Sequence, residues 1–152
     1  MSKKVNITLQ KLEPNDQVIV LDMIRSDEEL RSTFVGTRNT VTRIANSGYT
    51  AVIKKDKLNI GFIMLVYNFE TGKYEIDLGV LENYRYIGYG SQALAQLKQI
   101  ILNQHEKLDI EIQTSRINEP AIRSIIKNGF ELYKEDKNYY YFKLPGEAKK
   151  LK

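Results

Sequence analysis

The sequence predicts a single α/β (α+β) domain over residues 1–145, with a mixed, mostly antiparallel twisted sheet of six to seven strands flanked by about four helices. Three observations support this fold class. A length of 152 residues suits one domain. Strand-like segments with short polar connections follow one another in the middle of the chain. Helical and strand periods then alternate in the second half, so a meander leads into a βαβ crossover.

The first 24 residues predict an edge strand followed by a short helix. Val5, Ile7 and Leu9 alternate with polar residues, which is the period of a strand with one buried face. A proline then interrupts the pattern, and Asp16 is placed to cap a helix over residues 17–24.

Two more short helices are predicted before the central strands. Ser26 and Glu29 stand three residues apart ahead of an apolar run, which is the spacing of a capping box. Gly36 is expected to end that helix. A further helix is predicted over residues 37–45, and the polar residues that follow should end it.

The middle of the chain predicts an antiparallel meander. Short polar turns separate its three strand candidates, and connections of this length join antiparallel neighbours. The candidates cover residues 49–54, 58–68 and 74–81.

The second half alternates helices with strands. A helix is predicted from Gly90 to about His105, because its apolar residues recur on one face. A strand over residues 108–114 follows. Asn118 should cap the next helix, which begins with a proline and ends at Gly129. The last two strands are predicted over residues 130–133 and 138–144, ahead of a flexible basic tail over residues 146–152.

A glycine-rich turn precedes the long helix. Gly88 and Gly90 carry no Cβ that would keep an anion away from the backbone. The N–H groups of a helix's first turn attract phosphates. The turn could also need glycine for its geometry alone. Residues 88–93 satisfy G-x-G-x-x-A with Asp109 downstream, but the preceding meander disfavours a dinucleotide-binding fold.

Two segments in the right order resemble the GNAT acetyltransferase superfamily. The R/Q-x-x-G-x-G/A signature of that family is matched between the third meander strand and the long helix by Arg85-Tyr86-Ile87-Gly88-Tyr89-Gly90. A second family segment is similar to Asn118-Glu119-Pro120-Ala121 followed by Lys127-Asn128-Gly129-Phe130. The latter also resembles the ribosomal-protein N-acetyltransferase branch.

The resemblance implies acetyl-CoA as co-substrate, bound where the fourth and fifth strands splay apart. Backbone groups of Leu78 and Val80 would pair with the pantetheine arm, and an N–H at or near Val80 would polarise the thioester carbonyl. Asn118 would contact the cofactor or a catalytic water. Arg85 would assist cofactor binding, or would be an ordinary surface arginine. The pyrophosphate would be held by the backbone N–H groups of Tyr86, Ile87, Gly88, Tyr89, Gly90 and Ser91.

The resemblance further implies direct attack of a primary amine on the thioester in a ternary complex. The chain contains no cysteine, which excludes an acyl-cysteine intermediate. Glu75 is the predicted general base. The competing interpretation is that Glu75 and Asp77 lie on a solvated strand face. The tyrosine that serves many family members as general acid is replaced by Ile125.

Three consecutive tyrosines near the C-terminus have two possible roles. They could supply a hydroxyl or line the acceptor pocket, or they could form a strand with one ring buried and its neighbours exposed. They are Tyr139, Tyr140 and Tyr141. The only histidine, His105, is expected at the surface near a helix end.

Composition limits the other functions. A net charge of +4 and a pI of about 9.1 make nucleic acid a partner to consider. The basic residues are interleaved with acidic ones, however, which disfavours this partner. We expect no membrane span, signal peptide or metal site, and we expect a cytoplasmic location. The acceptor could be a small-molecule or peptide amine, and a homodimer is possible. The main alternative is a non-catalytic acyl-CoA-binding regulatory module.

Overall fold

The computed structural model describes residues 7–35, 40–104 and 108–145, whose strands form one seven-stranded sheet in the order β1-β2-β3-β4-β5-β7-β6. All neighbouring strands are antiparallel except β4 and β5, which are parallel. This confirms the mixed, mostly antiparallel sheet and the edge position of the first strand. The strands are β1 Thr8–Lys11, β2 Ser47–Lys55, β3 Leu58–Asn68, β4 Lys73–Val80, β5 Ile110–Ser115, β6 Glu131–Glu135 and β7 Tyr139–Lys143.

Five α-helices in the described residues flank this sheet, where about four were predicted. They are α1 Val18–Ser26, α2 Glu28–Leu30, α3 Thr40–Ala45, α4 Tyr89–Leu102 and α5 Glu119–Lys127. Helix α2 continues into a π-helical turn over Arg31–Val35. Short 3-10 turns cover Pro14–Asp16 and Glu82–Tyr84.

The sheet separates two apolar layers. Helices α4 and α5 cover one face, and α1, α2 and α3 cover the other. Alternation along β4 sends Ile76 and Leu78 to the α4–α5 face and Glu75 and Asp77 to the opposite face. The layer under α4 and α5 includes Ala93, Leu94, Leu97, Ile112, Ile125 and Phe142, and the other layer includes Val20, Ile24, Leu30, Phe62 and Met64.

Strands β4 and β5 part at their C-terminal ends. They pair only at Tyr74 with Ile110 and at Glu75 with Glu111. Beyond these positions β4 stays paired with β3, and β5 stays paired with β7. A gap therefore opens between the last residues of the two strands, as the predicted splay requires.

Two predicted helix caps are wrong. Ser26 does not cap the second helix, because it is the last residue of α1 and its hydroxyl donates to the carbonyl of Met23 at 2.8 Å. The cap is Asp27, an extended residue whose side chain accepts the N–H of Leu30 at 3.1 Å. Asp16 lies within a 3-10 turn, and the residue before α1 makes no side-chain cap bond.

Several predictions fall outside the described residues. They are the strand position of Val5, the helix end at Gly36, the surface position of His105 and the tail over residues 146–152. The helix predicted over residues 37–45 is described from Thr40 onward, where it is helical.

Candidate active site

The gap between β4 and β5 opens into a cleft of about 450 Å³. Residues from both strands, the glycine turn, α2 and the start of α5 line it. Eight of the predicted site residues lie in its wall: Leu78, Val80, Arg85, Tyr86, Gly88, Gly90, Ser91 and Asn118. Three do not, and they are Glu75, Ile87 and Tyr89.

The edge of β4 turns backbone groups toward the cleft. The N–H of Leu81 donates to the carbonyl oxygen of Ile60 at 2.8 Å, so Leu81 is a hydrogen-bonded position of the antiparallel ladder with β3. In such a ladder every second residue bonds to the partner strand, and the residues between them turn their N–H and C=O groups away from it. Leu78 and Val80 are among the residues turned away, and they lie beyond the last pairing with β5. Their N–H and C=O groups therefore face the gap, where an extended ligand could complete the ladder.

The glycine turn begins α4 at the mouth of the cleft. Gly88 caps the helix with φ of 112°, in the left-handed region, and no described atom lies within 4 Å of where its Cβ would be. Tyr86 also has a positive φ, of 66°. The first three N–H groups of α4 have no acceptor within the helix, so they are available to an anion in this open space.

Two side chains of the turn, those of Ile87 and Tyr89, do not line the cleft. Tyr89 is buried in the core under α4, and Ile87 is mostly exposed. Their predicted contribution is thus restricted to backbone N–H groups.

Asn128 holds the first turn of α4, a role that the sequence did not reveal. Its side-chain amide donates to the carbonyl and the hydroxyl of Ser91 at 3.3 and 3.2 Å, and to the carbonyl of Ser124 at 2.9 Å. The ammonium of Lys98 donates to the Asn128 carbonyl at 2.6 Å. The end of α5 therefore fixes the position of the glycine turn.

Arg85 is not an ordinary surface arginine. Its side chain is only 12% exposed, and its guanidinium pairs with the carboxylate of Asp27 and lies 3.3 Å from that of Glu29. Burial alone would raise the pKa of Asp27. The N–H of Leu30, the guanidinium of Arg85 and the N–H of Glu82 outweigh that effect and hold this pKa below its ordinary value of 3.8.

Arg43 of α3 joins the two acidic residues of β4. Its guanidinium contacts both oxygens of Asp77, at 2.6 and 3.1 Å, and one oxygen of Glu75 at 2.9 Å. The second Glu75 oxygen accepts the amide of Asn68 at 2.9 Å. Burial opposes the charge of Arg43, but the two carboxylates outweigh it and raise its pKa.

This cluster overturns the solvated-face interpretation of β4. The side chain of Asp77 is only 2% exposed and that of Glu75 17%, because α3 covers this face and supplies their counter-charge. Asp77 lines the cleft and Glu75 does not. The structure thus places Asp77, two residues beyond the predicted base, among the residues that line the cleft, with its carboxylate paired to Arg43.

Asn118 caps α5, as predicted. Its side-chain oxygen accepts the N–H of Ala121 at 3.3 Å, and the residue also lines the cleft. Ile125, at the position of the family's tyrosine, is buried in the cleft wall and offers no proton.

The three tyrosines differ in surroundings but not in burial, since all are half-buried. The expectation of one buried ring between exposed neighbours is therefore wrong. Tyr139 lines the cleft. Tyr140 packs on the core and under the guanidinium of Arg116, and Tyr141 donates to Asp136 at 2.7 Å. Burial and that hydrogen bond raise the pKa of Tyr141 to about 12.

Neither a metal site nor a membrane-spanning helix is found in the described residues. Residues 7–35, 40–104 and 108–145 contain no group of acidic, histidine or cysteine side chains that could hold a metal ion. No helix in these ranges is long and apolar enough to cross a membrane.

The chain is similar in fold to several solved acetyltransferase structures. Arabidopsis thaliana Naa50, in complex with the bisubstrate analogue CoA-Ac-MVNAL, is 21% identical with a TM-score of 0.68, over 91% of this chain and 98% of that one. RimL, a ribosomal L7/L12 alpha-N-protein acetyltransferase in complex with CoA, is 13% identical with a TM-score of 0.65, over 93% and 96%. A spermidine N-acetyltransferase SpeG chimera from Vibrio cholerae and hSSAT is 16% identical with a TM-score of 0.64, over 91% and 94%.

A sequence comparison identifies the family independently of the fold. No curated protein sequence matches the chain. The family model described as "Acetyltransferase (GNAT) domain" matches residues 6–131, which include both the glycine turn and the Asn118 segment. The chain therefore belongs to the GNAT acetyltransferase family.

Proposed function

We propose that the protein is an N-acetyltransferase that transfers the acetyl group of acetyl-CoA to a primary amine by direct attack in a ternary complex. The observation that supports this most is the unpaired edge of β4, which leads directly to the glycine turn. A thioester cofactor needs both parts, an extended surface for its pantetheine arm and an anion site for its pyrophosphate. The Naa50 structure is a complex with the bisubstrate analogue CoA-Ac-MVNAL, and the RimL structure is a complex with CoA.

The residues around the cleft fit acetyl-CoA. The backbone of Leu78 and Val80 would bind the pantetheine arm, and the first N–H groups of α4 would bind the pyrophosphate. A backbone N–H at or near Val80 would polarise the thioester carbonyl. Asn118 lies on the opposite wall and is placed to hold the cofactor or a water.

Proton removal from the amine is assigned to the Arg43 cluster. Asp77 is its member that lines the cleft, so we assign the first proton transfer to Asp77. Glu75, the predicted base, shares Arg43 with Asp77 and would act behind it. Because the side chain of Ile125 has no acidic group, CoA would leave as the thiolate anion or take a proton from another group. A thiol pKa of about 8.5 permits departure as the anion.

An amine screen with acetyl-CoA tests the proposal. Release of free CoA would be followed with peptides bearing a free N-terminus, polyamines, amino acids and aminoglycosides. The proposal expects CoA release that requires one class of amine, with acetylated product in equal amount by mass spectrometry. Acetyl-CoA binding without turnover on any amine would contradict it.

A non-catalytic acyl-CoA-binding module is the second candidate. It is favoured by Ile125 at the tyrosine position and by the ion pairing of both acidic residues of β4. This candidate predicts acetyl-CoA binding with no acetylated product. The same screen therefore separates the two functions.

A further inference from the structure

One buried carboxylate joins three parts of the chain beside the cleft. Asp27 is 7% exposed. It accepts the N–H of Leu30 at 3.1 Å and the N–H of Glu82 at 3.0 Å, and it pairs with the guanidinium of Arg85. It thereby connects the start of α2, the turn after β4 and the first residue of the glycine motif, which lies 58 residues away in sequence.

The surroundings of Arg85 are unfavourable for a phosphate. Two carboxylates, those of Asp27 and Glu29, contact its guanidinium, so the local charge of the three groups sums to about −1. A phosphate that contacted this guanidinium would also lie near both carboxylates, which repel it. The backbone N–H groups of α4 face no such competition.

The pair also links the α2 wall of the cleft to the segment that leads into the glycine turn. Helix α2 and its π-helical turn contribute Leu30, Ser32 and Phe34 to the cleft wall. The segment that Asp27 holds leads directly from β4 into the glycine turn. A contact between α2 and this segment therefore fixes one wall of the cleft relative to the pyrophosphate site.

We propose that Asp27 is a positioning residue for the CoA site, and that Arg85 supports CoA binding through its pair with Asp27 rather than by contacting a phosphate. This inference rests on the acetyl-CoA function proposed above. It assigns the arginine of the glycine motif to the protein's own architecture and leaves phosphate recognition to the backbone.

A double-mutant cycle on CoA affinity tests the proposal. Asp27→Asn and Asp27→Ser both keep a side chain that can cap α2, while they remove the charge that pairs with Arg85 and the oxygen that accepts the N–H of Glu82. The serine variant would serve if the amide variant were misfolded. Arg85→Gln removes the other partner. Glu28→Gln is the matched control, since Glu28 belongs to the same helical turn and does not line the cleft. CoA is titrated by calorimetry at low and high salt, with melting temperatures recorded in parallel.

The proposal expects each single change at Asp27 or Arg85 to weaken CoA binding about tenfold, and the double variant to lose no more than the weaker single variant. The salt dependence of CoA affinity should stay as in the wild type, because no phosphate contact is lost. A merely structural role would lower the melting temperature without this non-additive loss of affinity. Glu28→Gln should bind CoA as the wild type does.

Two results would overturn the inference while leaving the proposed function intact. One is that Arg85→Gln weakens CoA binding and flattens its salt dependence while the Asp27 variants bind normally. The other is that the losses at Asp27 and Arg85 add. Failure of the folded wild-type protein to bind CoA would overturn the proposed function, and this inference with it.

Discussion

The two walls of the cleft differ in the groups that form them, which are backbone groups on one side and side-chain ion pairs on the other. The wall at α4 presents backbone groups, from the free edge of β4 and from the turn at Gly88. The wall at α2, with the face of β4 that α3 covers, rests on two partly buried ion pairs, Arg43 with Asp77 and Arg85 with Asp27. A backbone site depends on conformation and open space, whereas a wall of ion pairs depends on the identity of each charge. Substitutions should therefore affect the two walls in different ways.

The largest expected effect is on the backbone wall. Gly88→Val should weaken acetyl-CoA binding by more than roughly 100-fold, because it removes about two charge-assisted hydrogen bonds to phosphate. The side chain would occupy the open space beside Gly88 and strain its positive φ. Calorimetric titration measures the loss.

Gly72→Val is the matched control for that prediction. Gly72 also has a positive φ, of 78°, but lies in the turn between β3 and β4 and outside the cleft lining. It should lower stability through the same backbone strain and leave acetyl-CoA affinity unchanged. Equal affinity losses in the two variants would assign the effect to strain and not to the site.

The next largest effect is expected on the ion-pair wall. Asp77→Asn should lower kcat about 100-fold with the amine identified by the screen, while acetyl-CoA affinity stays near that of the wild type. Glu75→Gln is the control, because it loses a carboxylate from the same Arg43 cluster outside the cleft, and its kcat should fall less. A larger loss of kcat in Glu75→Gln than in Asp77→Asn would reverse the roles assigned to the two residues.

Adding a methyl group on either face of β4 should change stability by different amounts. Gly79→Ala should lower the free energy of unfolding by about 3 kcal/mol, because its Cβ would lie 2.6 Å from the ring of Phe62 and 3.0 Å from Leu30. Gly90→Ala should be tolerated, since its Cβ would lie 3.5 Å from Val80, an ordinary contact. Urea unfolding compares them, and equal stability of the two variants would show that the α2 wall yields more easily than its packing indicates.

The smallest expected effect is a pH dependence at Asp27. Because its folded-state pKa is depressed, its stabilising contribution is present above the unfolded-state pKa and is lost as the pH falls through the folded-state pKa. Asp27→Asn should therefore be less stable than the wild type by about 1 kcal/mol at neutral pH. The difference should shrink as both proteins approach acid unfolding below about pH 4. A difference that did not change with pH would show that the ionised carboxylate is not the source of the stabilisation.

The same contrast explains how far the sequence leads. The backbone wall is encoded locally, since Gly88 and Gly90 stand in one short segment. The cap Asn118, across the cleft, also stands in a short segment, and all three residues line the cleft. Their conformational demands can be recognised without knowing what packs against them.

The ion-pair wall is encoded by partners distant in sequence. Arg43 and Asp77 are 34 residues apart, and Asp27 and Arg85 are 58 apart. Alternation along β4 alone predicted a solvated face for Asp77, since no pattern within the strand shows that α3 covers it. Local spacing predicts Ser26 as a cap for a similar reason, because that spacing does not define where α1 ends and α2 begins.

The most direct test of the proposed cofactor site is a calorimetric titration of the wild-type protein with acetyl-CoA, with NAD as the comparison. We predict binding of acetyl-CoA at micromolar concentrations and no binding of NAD. Failure of the folded protein to bind acetyl-CoA, or equal binding of NAD, would contradict this prediction and leave the glycine turn without its assigned ligand.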